Sequence, residues 1–216
     1  MNRRGLVRSL ALLSAWPTVK AAAQYFPQPG MPSIQPPVTT ISVNIPQMIS
    51  AGARQLCPEW CWATSISMIF AFHGHPIDQT EIVAQTYGGV ACVPAGSSST
   101  IAQDLSRRWV DDNGMEFTSQ IVAAYDAFNG VFAMNNAIIA NELQNNRPLL
   151  YCNTHHAMVV CAIQAVPTAL GPVVAEVDVV DPWPASPGIH ALTPAESVPA
   201  SSGGQMTFLA AVVVVG

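Results

Sequence analysis

The sequence predicts an α+β fold, because helix-like segments fill the first half of the chain and strand-like segments the second. Two further observations support it. Half of the 216 residues are apolar, enough for a packed core, and only 10% are charged, which argues against disorder. No internal repeat interrupts the order.

The elements follow in sequence. Residues 1–23 read as an export signal: Arg3 and Arg4 are basic, Leu6 to Val19 is mostly apolar, and Ala21-Ala22-Ala23 offers a cleavage site. Arg3-Arg4-Gly5-Leu6-Val7 also suits a twin-arginine leader. The apolar run is too short for a membrane span. Residues 24–48, with Pro27, Pro29, Pro32, Pro36, Pro37 and Pro46, read as a linker, in which Val38 to Val43 is a short strand candidate. The domain is expected over 49–216.

Trp60 to Phe72 reads as a helix closed by His73-Gly74-His75-Pro76, and it is apolar on nearly every face, the mark of a buried central helix. Asp78 to Tyr87 is a second helix, with Asp78 as N-cap and Glu81 completing a capping-box pattern. Ser97 to Trp109 is a third, and Asn135 to Asn145 a fourth. Met115 to Ile121, Leu149 to Asn153, His156 to Ala165, Val173 to Val180 and Met206 to Val215 are turn-bounded strand candidates, the last four mostly Val-rich.

Charge narrows the function. Loss of residues 1–23 leaves Arg54, Arg107, Arg108 and Arg147 against thirteen acids, a net charge of −9 with no lysine. Such a chain is not expected to bind nucleic acid or an anionic membrane through charge.

Chemistry concentrates in Gln55-Leu56-Cys57-Pro58-Glu59-Trp60-Cys61-Trp62. Cys61 falls at the first turn of the central helix, where free N–H groups and the helix dipole favour a thiolate. Gln55 and the Cys61 N–H could together receive the oxygen of an attacked carbonyl. A thiolate nucleophile needs a base, and the base needs an orienting partner. His156, at the start of one strand, and Asp181, at the end of the next, are the candidates. Trp183 would shield their hydrogen bond. His155 competes with His156, since strand alternation turns only one toward a cleft. Asn153 or another Asp is the alternative to Asp181, because an Asp-Pro pair often does no more than end a strand.

Five cysteines in an exported chain are an odd set. If Cys61 is free, the other four allow three connectivities. Cys57–Cys92 is favoured, and Cys152 and Cys161 either pair or stay as buried thiols. Cys57, Cys61, His73 and His75 lie close in sequence, but their spacing is not a usual zinc pattern. No metal or other cofactor is called for.

Gln55, Trp60-Cys61-Trp62-Ala63, His156-Ala157 and Asp181-Pro182-Trp183 resemble the papain-like cysteine peptidases. The likeness is to the compact bacterial branch, which includes secreted effectors of plant pathogens and uses Cys-His-Asp. In papain proper the third member is Asn followed by Ser-Trp. The resemblance implies a two-lobe fold: an N-terminal helical lobe carrying a buried catalytic helix, and a C-terminal antiparallel β-barrel-like lobe. It also implies an oxyanion hole lined by Gln55. Two features depart from papain: Cys57 lies four residues before Cys61 rather than three, and Cys61 and His156 are only 95 residues apart.

The expected function is an exported hydrolase, periplasmic or extracellular, that cleaves peptide bonds through a thioester. Cys61, His156, Asp181 and Gln55 are its catalytic candidates. Trp60 and Trp183 are its candidate substrate contacts, with Trp62 packed beside the histidine. Its partner is a protein or peptide substrate, and the chain is expected to act as a monomer with no stable membrane insertion after signal removal. Competing readings on the same residues are a cell-wall peptide amidase, an acyl transferase, and a silent binding module with a structural Cys61.

Overall fold

The computed structural model describes residues 37–183 and 188–216. The expected signal and most of the expected linker lie outside them. The described chain holds five α-helices, one 3₁₀ turn and nine strands.

The chain enters as β1 (Thr39–Ser42), which pairs antiparallel with β6 (Ala157–Thr168). Helix α1 (Ile45–Ala51) follows, capped by the Asn44 side chain, which accepts the Gln47 N–H at 3.1 Å. The folded unit therefore starts before residue 49, and the expected boundary at 48 is corrected. Pro46 was read as a linker residue, but it sits in the first turn of α1, where a helix needs no proline N–H.

Helix α2 (Cys61–Phe72) is the central helix. Nine of its twelve residues are buried, among them Trp62, Ile66, Ile69 and Phe70. No side chain caps its N-terminus. Helix α3 (Gln79–Tyr87) is capped by Asp78 through the Thr80 N–H at 2.8 Å. The capping box does not close: the Glu81 carboxylate accepts from Gln85 instead, and the Asp78 N–H faces Asp112. Helix α4 (Ser98–Asp104) is shorter than expected. Its predicted last turn is β2 (Arg108–Val110), because Trp109 pairs with Phe117 of β3 (Glu116–Asp126) and both are buried.

The two-residue β4 (Val131–Phe132) folds back on β3, and α5 (Asn136–Gln144) leads into β5 (Leu149–Cys152). Then come β6, β7 (Gly171–Asp181), β8 (Gly188–Ala191) and β9 (Phe208–Val215). All join one antiparallel sheet in the order β2-β3-β9-β5-β6-β7-β8, with β1 also on β6. The sheet stays open between β2 and β8, so the expected barrel-like half is an open sheet with bulges in β3–β9 and β6–β7. The α+β class holds.

Alternation gives the sheet two distinct sides. Cys152, Ala157 and Phe208 line a cleft on the side that carries α2. Their neighbours Tyr151, Val160 and Leu209 line a cavity of about 550 Å³ on the other side, between α5 and residues 192–206. Buried on both faces, β5 reads as an unbroken apolar run. Among the described residues, no helix is long and apolar enough to cross a membrane.

Candidate active site

Cys61 is the first residue of α2 and is partly exposed. Helix geometry leaves its N–H and those of the first turn without acceptors inside the helix, and no side chain takes them. Because α2 packs on β5 and β6, this helix end faces the turn between those two strands. His156 is the last residue of that turn, and Asp181 ends the neighbouring β7.

The His156 Nε2 lies 2.6 Å from Asp181 Oδ1. The same carboxylate oxygen accepts the Trp183 N–H at 2.7 Å. The Trp183 ring stands edge-on to the imidazole at 6.1 Å, yet Trp183 remains 41% exposed. Of the two adjacent histidines, His156 meets the aspartate, while His155 is exposed and lines the cleft.

Electrostatics follow from this geometry. Burial disfavours charge on His156, but hydrogen bonds to Asp181 and Cys61, with their negative charges, outweigh it and raise its pKa to about 9. Burial alone would raise the Asp181 pKa, yet the His156 ring and the Trp183 N–H hold it below the usual carboxylate value. With Nε2 engaged by Asp181, Nδ1 is left for the Cys61 side.

The cleft holds about 200 Å³. Cys61 and His156 line it together with Trp62, Ser97, Phe128 and Asn153. Trp60 does not. It is buried, and its indole N–H donates to Ala91 O at 2.9 Å. Trp62 makes a matching bond to Val93 O at 3.4 Å while its ring reaches the cleft. Both indoles thus anchor the 91–93 loop, and of the two it is Trp62, not the Trp60 expected from sequence, that lines the cleft. That loop is also tied down by a disulfide between Cys57 and Cys92.

Gln55 is buried beside the turn that precedes the helix. Its amide Nε2 donates to Cys57 O at 3.0 Å and Pro58 O at 2.8 Å, and its Oε1 has no partner. Its backbone N–H donates to Pro182 O at 2.9 Å, which ties the approach to Cys61 directly to the Asp181-Pro182-Trp183 segment. Gln55 itself does not line the cleft.

The remaining thiols differ in kind. Cys152 and Cys161 are buried, and burial pushes both thiol pKa values up, that of Cys161 to about 12. Cys57 is bridged and offers no metal ligand. His75 pairs with Asp111 at 3.1 Å, so the Cys57–His75 cluster weighed from sequence is dispersed.

Four contributors were not legible in these roles in the sequence. Ser97 and Ser98 read only as a helix start, and Phe128 carried no periodic signal. Asn153 had been weighed as a ring partner, but it organises the turn before His156. An Asx residue two and three positions before the N–H groups that it accepts is the signal that would have found it.

No curated protein matches the sequence. The family model of the papain-like cysteine protease AvrRpt2 matches residues 40–194, which span α1 to α5 and β2 to β8 and contain the cysteine, histidine and aspartate. With that match over most of its length, the chain belongs to the papain-like cysteine protease family of AvrRpt2 and is a peptidase, a hydrolase.

Proposed function

We propose that the chain is an exported cysteine peptidase in which Cys61, His156 and Asp181 act as the triad. The observation that carries this reading is the His156 ring, set between Asp181 at 2.6 Å and the free thiol at the start of α2. Cys61 attacks the scissile carbonyl as a thiolate paired with the His156 imidazolium. The negative oxygen that forms is received by the Cys61 N–H and by Gln55. For Gln55 to serve, one Nε2 hydrogen leaves the Cys57 or Pro58 carbonyl when the oxyanion appears. His156 Nδ1–H then protonates the departing amine, leaving a thioester. Water enters, His156 takes one of its protons, and hydroxide attack releases the acid and the Cys61 thiolate. Asp181 holds the ring throughout and stabilises its positive form.

The proposed substrate is a protein or peptide, taken in the cleft between Trp62 and Phe128 by a monomer acting in the periplasm or outside the cell. Trp183 shields the His156–Asp181 bond at the rim. The experiment is labelling of the full chain, expressed and exported, with an epoxide inhibitor of papain-like enzymes, followed by peptide mapping. Modification of Cys61 alone, lost in His156→Ala, is the expected result. Cys61 found unmodified and bridged to another cysteine would overturn the reading. An N-terminus at Gln24 in the exported product checks the leader.

A further inference from the structure

We propose that Asn153 is a positioning residue for His156, fixing the turn from which that histidine projects. The proposal rests on the reading of His156 as the proton carrier of a cysteine peptidase. Cys152 of β5 is the register partner of Ala157 of β6, so residues 153–156 must reverse the chain within four positions. Asn153 Oδ1 accepts the N–H groups of both His155 and His156, each at 2.8 Å. The Asn153 N–H in turn donates to His156 O at 3.0 Å. Both backbone polar groups of His156 are therefore held by one residue.

The amide orientation follows from its partners. Two N–H donors converge on one terminal atom, which makes that atom the oxygen. The nitrogen then faces Glu196 Oε1 at 3.4 Å. Glu196 is itself held, through Oε2, by the Thr193 N–H at 3.0 Å and the Thr193 hydroxyl at 2.7 Å. Its backbone carbonyl accepts the Tyr151 hydroxyl at 3.0 Å. The Asn153 side chain is thus braced from the segment that follows β8, and His156 inherits its placement from both strands and from that brace.

The consequence is geometric. The His156 ring must meet Asp181 with one nitrogen and the Cys61 side with the other, and a ring displaced by about 1 Å is enough to cost on the order of 100-fold in rate. Among the described residues, no hydrogen bond joins the Asn153 side chain to the His156 ring or the Cys61 thiol. Its amide is already committed to the turn and to Glu196, so it acts on the chemistry through the backbone of its neighbour.

The test measures the second-order rate of Cys61 modification by the epoxide, from mildly acidic to alkaline pH. It uses wild type, Asn153→Ala, Asn153→Asp and His156→Ala, with thermal melting as a check on folding. Asn153→Ala is expected to react about 10- to 100-fold more slowly at neutral pH. Its alkaline limb, set by the His156 proton near 9, should move to lower pH as the contacts with Asp181 and Cys61 loosen. The Asp variant is made together with Glu196→Gln, so that an amide and not a carboxylate faces its second oxygen; it keeps the acceptor for the turn and should recover most of the rate. An Ala variant with the wild-type rate and pH profile would overturn the proposal, and so would equal losses in the Ala and Asp variants. If Asn153→Ala does not fold, a folded Asp variant decides: histidine-dependent labelling supports the proposal, and its loss overturns it. A wild type as inert as His156→Ala would instead sink the peptidase reading itself.

Discussion

Among the described residues are two histidine–aspartate pairs, and their surroundings differ more than their bonds. His156 meets Asp181 at 2.6 Å, and His75 meets Asp111 at 3.1 Å. His75 lies flat on Phe117, with ring centroids 4.5 Å apart, and its aspartate accepts the N–H groups of Asn113 and Met115. That pair ties the connection between α2 and α3 to the turn between β2 and β3. His156 stands edge-on to Trp183 in a cleft with a free thiol at a helix N-terminus. An aspartate beside a histidine is therefore no sign of catalysis by itself. What separates the two pairs is whether the second ring nitrogen has something to activate.

The largest effect that would break this comparison comes from the histidines. His156→Ala should lower kcat/KM on a peptide substrate by about 10³-fold or more. His75→Ala should leave turnover intact and cost about 1 kcal/mol of stability, read as a fall of a few degrees in Tm. Equal losses of turnover would mean that the second pair also serves the reaction.

The aspartates sharpen it further. Asp181→Asn should lower kcat by about 10²- to 10⁴-fold, since its neutral amide no longer stabilises the His156 imidazolium or fixes the ring orientation. Asp111→Ala should instead lower Tm by freeing the Asn113 and Met115 N–H groups while kcat is kept.

The smallest effect is in pH dependence, where His156 is best set against His73. His156 has its pKa raised from 6.5 to about 9, so its proton stabilises the fold fully below pH 6.5, and that stability is lost as pH rises through 9. The alkaline fall in turnover should track the same window. His73 has its pKa lowered to about 4, first by burial and then by the charges of Arg147 and His75. Its contribution is present above pH 6.5 and is lost as pH falls through 4, on the order of 2–3 kcal/mol. His73→Leu should therefore flatten the acid edge of a Tm–pH curve, and His156→Ala the alkaline edge.

Much of this was legible before any coordinates. Trp60 to Phe72 carries too many apolar residues on too many faces for a surface helix, and α2 is the buried helix that this implies. The Val-rich segments are the core strands, because β-branched residues bounded by turns have few other places to go. The approach of Cys61, His156 and Asp181 follows from strand ends and a helix start, which sequence can locate. What sequence does not carry is register. Pro46 looked like a linker residue until Asn44 supplied a cap. Trp109 looked like the end of a helix until Phe117 claimed it across a strand pair. The β8 strand is exposed along its length and shows no alternation to read. The choice between Trp60 and Trp62 depended on the direction of α2 relative to the sheet, which is set by contacts far along the chain.

The bond between Cys57 and Cys92 also settles a competition. Cys57 lies four residues from Cys61, so in an unfolded, oxidising chain it is the thiol most often within reach of the nucleophile. Once Cys92 captures it, Cys61 loses its nearest rival in sequence, while Cys152 and Cys161 stay as buried thiols, Cys152 at the wall of the same cleft. Among the described residues the bridge leaves Cys61 as the one free thiol that is not buried, and a chain in which Cys57 took Cys61 instead would free Cys92 and lock Cys61.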